Sequence, residues 1–204
     1  MVRILVDKVK DLSENEINEI TASLSAEAVD RLAKKKNTVF HTQSLCALSL
    51  LKSLVGDEMF SHGNLKYEEN GRPYFEDLDI DISLSHADSY VACAVSDKKN
   101  SRVGIDVESK ALSDGEAKKI ARRFFSVGEQ NIFNTSENAR QTFLEIWTKK
   151  EALKKHLDDS SPLLSLDTCA PEKFGVEFLT RTLPNGIVSV CVRRGEALDI
   201  KILF

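Results

Sequence analysis

Two acidic side chains, Asp106 and Glu108, stand two residues apart in the run Val103-Gly-Ile-Asp-Val-Glu108. In a strand, residues i and i+2 share a face, so both carboxylates point one way and Ile105 and Val107 the other. Neighbouring carboxylates repel unless a cation or a proton lies between them. Oxygen ligands of this kind suit Mg²⁺, which commonly takes one or two carboxylates together with substrate phosphates. The same pair also fits a solvated strand edge. A second cluster is Trp147-Thr-Lys-Lys-Glu-Ala-Leu-Lys-Lys155. On a helix, Trp147, Glu151 and Lys155 form one stripe. Glu followed by Lys at i, i+4 is an ordinary helix ion pair. The chain's single tryptophan on that stripe points instead to a helix that leaves the core and enters a cleft.

Ser83-Leu-Ser-His86 ends a stretch of alternating apolar and polar residues. His86 has no second His or Cys at ligand spacing, so a metal site there is unsupported. It either donates to a phosphate or caps the turn. Ser85 and His86 are adjacent and face opposite sides of a strand, which rules against a hydrolase pair. The last cluster is basic: Arg31, Lys34, Lys35 and Lys36 near a helix end, and Arg72 in a turn. These cations either complement a helix dipole or grip a phosphate-rich ligand.

The elements that must hold these groups follow from periodicity. Val2 to Val6 reads as a first strand. Ser13 to about Lys36 reads as one helix, with Ser13 and Glu16 at capping-box spacing. Thr38 to about Val55 is a second helix, closed by Gly56. Asn70-Gly71 marks a hairpin, residues 80–84 alternate as a half-buried strand, and 90–96 and 102–107 are further strands. Ser113 to Phe125 and Asn138 to about Leu157 read as helices, with a short one after Ser126. Residues 175–182 and 187–193 bracket Pro184-Asn185-Gly186 as another hairpin, and 198–204 form a last strand. Both halves thus order helices before antiparallel strands. The expectation is an α+β fold of two similar halves, residues 1–101 and 102–204, each packing helices on a small antiparallel sheet.

Composition sets the limits. Apolar residues make up 42% and charged residues 29% of 204, which excludes disorder along the whole length. The net charge of −4 argues against nucleic acid as a partner, so anions must meet a local basic patch. None of the four cysteines forms a C-x-x-C pair, and no apolar run reaches the length of a membrane span or a signal peptide. The expectation is a soluble cytoplasmic protein with no membrane partner.

Gly71-Arg-Pro73, Ile82-Ser-Leu-Ser-His86, Val103-Gly-Ile-Asp-Val-Glu108, Arg123-Phe-Phe-Ser126 and Trp147-x-x-Lys-Glu-Ala-x-x-Lys155 occur in the order found in 4′-phosphopantetheinyl transferases. The surfactin-synthetase-activator (Sfp) type, a pseudo-dimeric single chain, is the nearest pattern. The resemblance runs from about Arg31 to Lys155. It implies transfer of the phosphopantetheine arm of coenzyme A, as co-substrate, to a serine of an apo acyl or peptidyl carrier protein. Adenosine 3′,5′-bisphosphate would be released, with Mg²⁺ (or Mn²⁺) bound, by a monomer with internal pseudo-two-fold symmetry. By match, Asp106, Glu108 and Glu151 would hold the metal, and Glu151 and Lys155 would be catalytic. Lys34, Lys35, Lys36, Gln43, Arg72, Ser85, His86, Lys150 and Lys155 would line the coenzyme A site. Arg72 replaces the family's usual lysine, and Gln43 stands where an arginine often grips the 3′-phosphate. The alternative reading is a non-catalytic module that keeps the fold to bind coenzyme A or a carrier protein. A phosphohydrolase would need a water-activating constellation that the sequence lacks.

Overall fold

The computed structural model describes residues 1–36, 38–62, 64–109 and 112–204. Strand β1 (Val2–Lys8) leads into helices α1 (Glu14–Ala22) and α2 (Ala26–Ala33). The expected single helix over 13–36 is therefore broken. Ser25 adopts extended backbone and caps a new start, its side chain accepting from Ala28 N–H and donating to the Leu65 carbonyl. The Ser13–Glu16 capping box forms as expected. Helix α3 (Val39–Val55) ends at Gly56, whose φ of 86° suits the residue that reverses the chain into α4 (Asp57–His62).

A short hairpin, β2 (Leu65–Tyr67) and β3 (Pro73–Phe75), turns at Gly71. Strands β4 (Asp81–His86), β5 (Tyr90–Ser96) and β6 (Val103–Glu108) follow. Helices α5 (Asp114–Phe124), α6 (Val127–Thr135) and α7 (Ala139–Leu157) come next, then β7 (Val176–Leu183), β8 (Gly186–Arg193) and β9 (Leu198–Ile202). The second hairpin is tighter than expected, because Leu183 pairs with Gly186 and only Pro184 and Asn185 form its loop.

The larger sheet has the order β4-β5-β1-β9 and the smaller one β6-β8-β7. In both, an opening strand pairs antiparallel with the second strand of the hairpin that follows the helices. The halves are not separately closed. Strand β9, expected in the second half, pairs in parallel with β1 of the first.

Residue alternation divides the core. Leu5, Val91, Cys93 and Val95 face α3 and its neighbours. Val2, Ile4, Val6, Ala92 and Ala94 face Val103, Ile105, Val107, Val188, Val190 and Val192 from the other sheet. Apolar residues alternate on four strands, so the two halves bury a common layer that neither could cover alone.

The polar positions of β4 are not solvent-facing, as their alternation had suggested. Asp81, Ser83 and Ser85 are buried at the seam with β6. Their side-chain oxygens accept from the N–H groups of Val103 (2.8 Å), Ile105 (3.0 Å) and Val107 (3.3 Å). A row of side chains thus replaces a backbone ladder and satisfies donors that would otherwise be buried unpaired.

Candidate active site

Strand β6 and helix α7 meet through a missing side chain. A Cβ on Gly104 would lie 1.9 Å from the Ala152 carbonyl oxygen and 2.7 Å from the His156 nitrogen. Glycine lets the α7 backbone rest directly on β6, on the face that also carries Asp106 and Glu108. The charged end of α7 is thereby laid beside those carboxylates. Lys155 Nζ donates to Asp106 Oδ1 (2.8 Å) and to the Ile105 carbonyl (2.9 Å). At the other end of the stripe, Trp147 stacks on Phe143 and meets Phe124 edge-on, anchoring the helix in an aromatic cluster.

Asp106 is buried, and its Oδ1 also accepts from Ser85 Oγ (2.8 Å). Its Oδ2 is buried with no hydrogen-bond partner. Burial, reinforced by the Asp106 charge, pushes the Glu108 carboxyl up to about 7. The same two causes raise Glu151, with Lys155 opposing them. Three carboxylates crowd one another without enough positive charge. An orphaned buried oxygen and two proton-hungry neighbours are what a divalent cation would relieve. Among the described residues, no three His, Cys, Asp or Glu side chains stand close enough together to hold a metal ion by themselves. The unpartnered Asp106 Oδ2 beside Glu108 and Glu151 suits a hard cation whose remaining positions are filled by ligand phosphates, the usual manner of Mg²⁺.

Two adjoining hollows lead away from Lys155. The first, about 270 Å³, is lined by Gly71, Arg72, Pro73, Leu84, Lys154 and Lys155 among others. The second, about 220 Å³, shares Gly71, Pro73 and Leu84 and adds Arg31, Lys35, Ser44, Tyr67 and His86. The Arg31 guanidinium lies over the Tyr67 ring, 4.4 Å from its centroid. Gly71, at φ 88°, leaves room for it, since a Cβ there would come within 2.7 Å of Arg31 Nη2. Lys35 donates to Ser44 Oγ (2.9 Å), and burial, followed by the Arg31 charge, lowers its pKa. Burial, then Lys35 and Lys155, lowers that of His86, which is therefore neutral at pH 7. Arg31 and Lys35 line the second hollow, Lys154 and Lys155 share the first with Asp158 and Asp159, and Lys155 links that hollow to Asp106.

The structure brings together Asp106, Glu108, Glu151 and Lys155, and sets Lys35 and His86 in the cleft. Five expected ligand contacts need correction, and Ser85 is recast. Arg72 is buried and pairs with Asp81 while donating to the Val103 and Lys155 carbonyls, so it clamps the two halves rather than reaching for a nucleotide. Lys150 is fully buried on the opposite side of α7, paired with Glu129 at 2.7 Å and donating to the Leu166 carbonyl. Gln43 points inward, its Nε2 donating to the Ala87 carbonyl, and Ser44 faces the cleft instead. Lys34 pairs with Asp30 on the exposed surface, and Lys36 is exposed outside the cleft lining. Ser85 binds Asp106 and the backbone of β6. Arg31, one of the basic cluster offered for a phosphate-rich ligand, does line the cleft, whereas Ser44 and Tyr67 belong to no motif. Lys35 lies in the turn that follows α2, and no local spacing in the sequence points to Ser44 or Tyr67.

A model of the 4′-phosphopantetheinyl transferase superfamily matches residues 102–188, the segment carrying β6, α7 and the acidic cluster. The chain is 30% identical over 161 residues to 4′-phosphopantetheinyl transferase gsp of Aneurinibacillus migulanus, covering 76% of this chain and 65% of that one. It is also 30% identical over 113 residues to a Haemophilus influenzae protein named "Putative 4′-phosphopantetheinyl transferase", covering 54% of this chain and 47% of the relative. No helix among the described residues is long and apolar enough to cross a membrane. The family match falls on the strand and helix that build the acidic cluster, and the chain spans less than two thirds of the length of the curated phosphopantetheinyl transferases it resembles.

Proposed function

We propose that the protein transfers the 4′-phosphopantetheine arm of coenzyme A to a serine hydroxyl of an apo acyl or peptidyl carrier protein, releasing adenosine 3′,5′-bisphosphate. One observation carries this reading: Lys155, at the mouth of a cleft that also holds Arg31, Lys35 and His86, bonds directly to Asp106, beside which stand Glu108 and Glu151. A diphosphate ester spans that charge pattern. Arg31, Lys35 and His86 would receive the anionic nucleotide end, and Arg31 on Tyr67 offers a flat cationic surface to it. Asp106, Glu108 and Glu151 would hold Mg²⁺ (or Mn²⁺), which when bound polarises the attacked phosphoryl group and offsets charge on the departing one. Glu151, raised above the usual carboxylate range, is suited to take the proton of the carrier serine as its oxygen bonds to phosphorus. The bond to the adenosine-bearing phosphate then breaks. Lys155 would stabilise the charge left on that phosphate, exchanging part of its contact with Asp106.

The shared connectivity of β1-β5-β4 and β6-β8-β7 supports the pseudo-duplicated layout of this reading, which further takes the enzyme as a cytoplasmic monomer of the Sfp type. The test is chromatography of adenosine 3′,5′-bisphosphate after incubation with coenzyme A, Mg²⁺ and apo carrier. Release that requires both carrier and metal supports the reading. Coenzyme A binding without release, across acyl and peptidyl carriers, assigns the chain to the non-catalytic class.

A further inference from the structure

Ser85 stands where the resemblance implies a phosphate ligand, yet its hydroxyl is already used twice. Its Oγ accepts from Val107 N–H (3.3 Å) and donates to Asp106 Oδ1 (2.8 Å). The side chain is buried, and Ser85 does not line either hollow of the cleft. It ends the row in which Asp81 and Ser83 accept from Val103 and Ile105 N–H. Those two close the seam and touch no acidic group of the site. Ser85 does both, because a hydroxyl can accept a backbone proton and give its own to a carboxylate at once.

We infer that Ser85 is a positioning residue: it holds Asp106 by Oδ1, jointly with Lys155, so that Oδ2 remains the oxygen uncommitted to protein donors and available to a divalent cation. A carboxylate with both oxygens bonded to the protein is a poorer cation ligand, and one held by neither would rotate. Two donors on the same oxygen fix its orientation and leave the other oxygen free. Lys155 lies on the second half of the chain and Ser85 on the first, so the orientation of Asp106 depends on the closed seam. The inference rests on the proposed metal-dependent reading but concerns the metal alone.

The test uses Mn²⁺, whose free aquo ion has a paramagnetic signal lost on binding, titrated into the full chain without carrier. Ser85→Ala should weaken Mn²⁺ binding roughly 10-fold, as expected for loss of one charge-assisted hydrogen bond. Coenzyme A affinity without metal should stay within about twofold, because no ligand contact is removed. Ser85→Thr, which keeps the hydroxyl, should recover most of the Mn²⁺ affinity, whereas Ser83→Ala, which opens the seam equally, should not weaken it. Where carrier transfer is measurable, Ser85→Ala should raise the metal concentration for half-maximal rate and leave KM for coenzyme A unchanged. A Ser85→Ala protein with wild-type Mn²⁺ binding and weakened coenzyme A binding would overturn the inference and restore the phosphate-ligand role. Equal losses in Ser85→Ala and Ser83→Ala would also overturn it, as a seam effect. Tight Mn²⁺ binding by a wild type that transfers nothing would defeat the proposed function and leave this inference standing.

Discussion

Replacing Gly104 by alanine adds one methyl group where the active-site helix rests on its strand. The new Cβ would meet the Ala152 carbonyl oxygen at 1.9 Å, the Ala152 carbonyl carbon at 2.9 Å and the His156 nitrogen at 2.7 Å. All three are backbone atoms, so no rotamer change relieves the clash. Carbon contacts below about 3 Å do not persist in packed interiors, which requires α7 to retreat from β6 by roughly 1 Å. The bonds from Lys155 to Asp106 and Ile105, now 2.8 and 2.9 Å, lie within one turn of that contact and would stretch. Overpacking of this kind costs about 1–3 kcal/mol of stability. A misplacement of about 1 Å in the reacting groups costs on the order of 100-fold in rate. Urea unfolding and single-carrier turnover, measured on the same preparation, separate the two effects. Gly115→Ala, which meets nothing within 4 Å in α5, is the control and should be neutral or slightly stabilising. A Gly104→Ala protein of native stability that turns over within about twofold of wild type would refute the claim that this glycine sets the helix.

Three other perturbations probe the clamp, the acidic cluster and the cleft. Arg72→Ala leaves Asp81 charged and buried without its partner and should cost about 3–5 kcal/mol in denaturant unfolding; a loss under about 1 kcal/mol would return Arg72 to a ligand role. Glu108 is held protonated up to about 7 by burial beside Asp106, so the metal-free fold should lose stability as pH rises from the ordinary carboxylate range through 7. Glu108→Gln should flatten that slope in a chelator-containing melt series, and an unchanged slope would contradict the cause assigned. An anion in the cleft would counter the Lys35 and Lys155 charges that help depress His86, so binding of pyrophosphate should take up a proton and tighten as pH falls below the ordinary histidine range. Calorimetry in buffers of different ionisation enthalpy should detect that proton, and His86→Gln should remove it.

What could be seen in the sequence depended on whether a residue's role was local. The Ser13 capping box, the Gly56 stop and the shared face of Asp106 and Glu108 follow from spacing within one element, and they form; the capping boxes at Ser113 and Ser126 have the same spacing but were not read from it. The break at Ser25 did not show, because its cap is fixed partly by the distant Leu65 carbonyl. Strand β9 read as part of the second half because nothing in Leu198 to Ile202 names its partner, β1. The burial of Asp81, Ser83 and Ser85 was concealed for the same reason. Alternation tells which residues share a face, and here the polar face meets another strand rather than water. Arg72, Lys150 and Gln43 stood in motif positions, where residue type suggested a ligand contact. Their actual partners, Asp81, Glu129 and the Ala87 carbonyl, come from other elements and were legible only in three dimensions.

The most direct measurement is intact mass of an apo carrier protein after incubation with the chain, coenzyme A and Mg²⁺, beside a parallel reaction with Asp106→Ala. The account predicts that the carrier gains one phosphopantetheine arm on its serine with the wild type, and none with the variant or in excess chelator. A wild type that leaves acyl and peptidyl carriers unmodified, or an Asp106→Ala protein that modifies them at the wild-type rate, would contradict it.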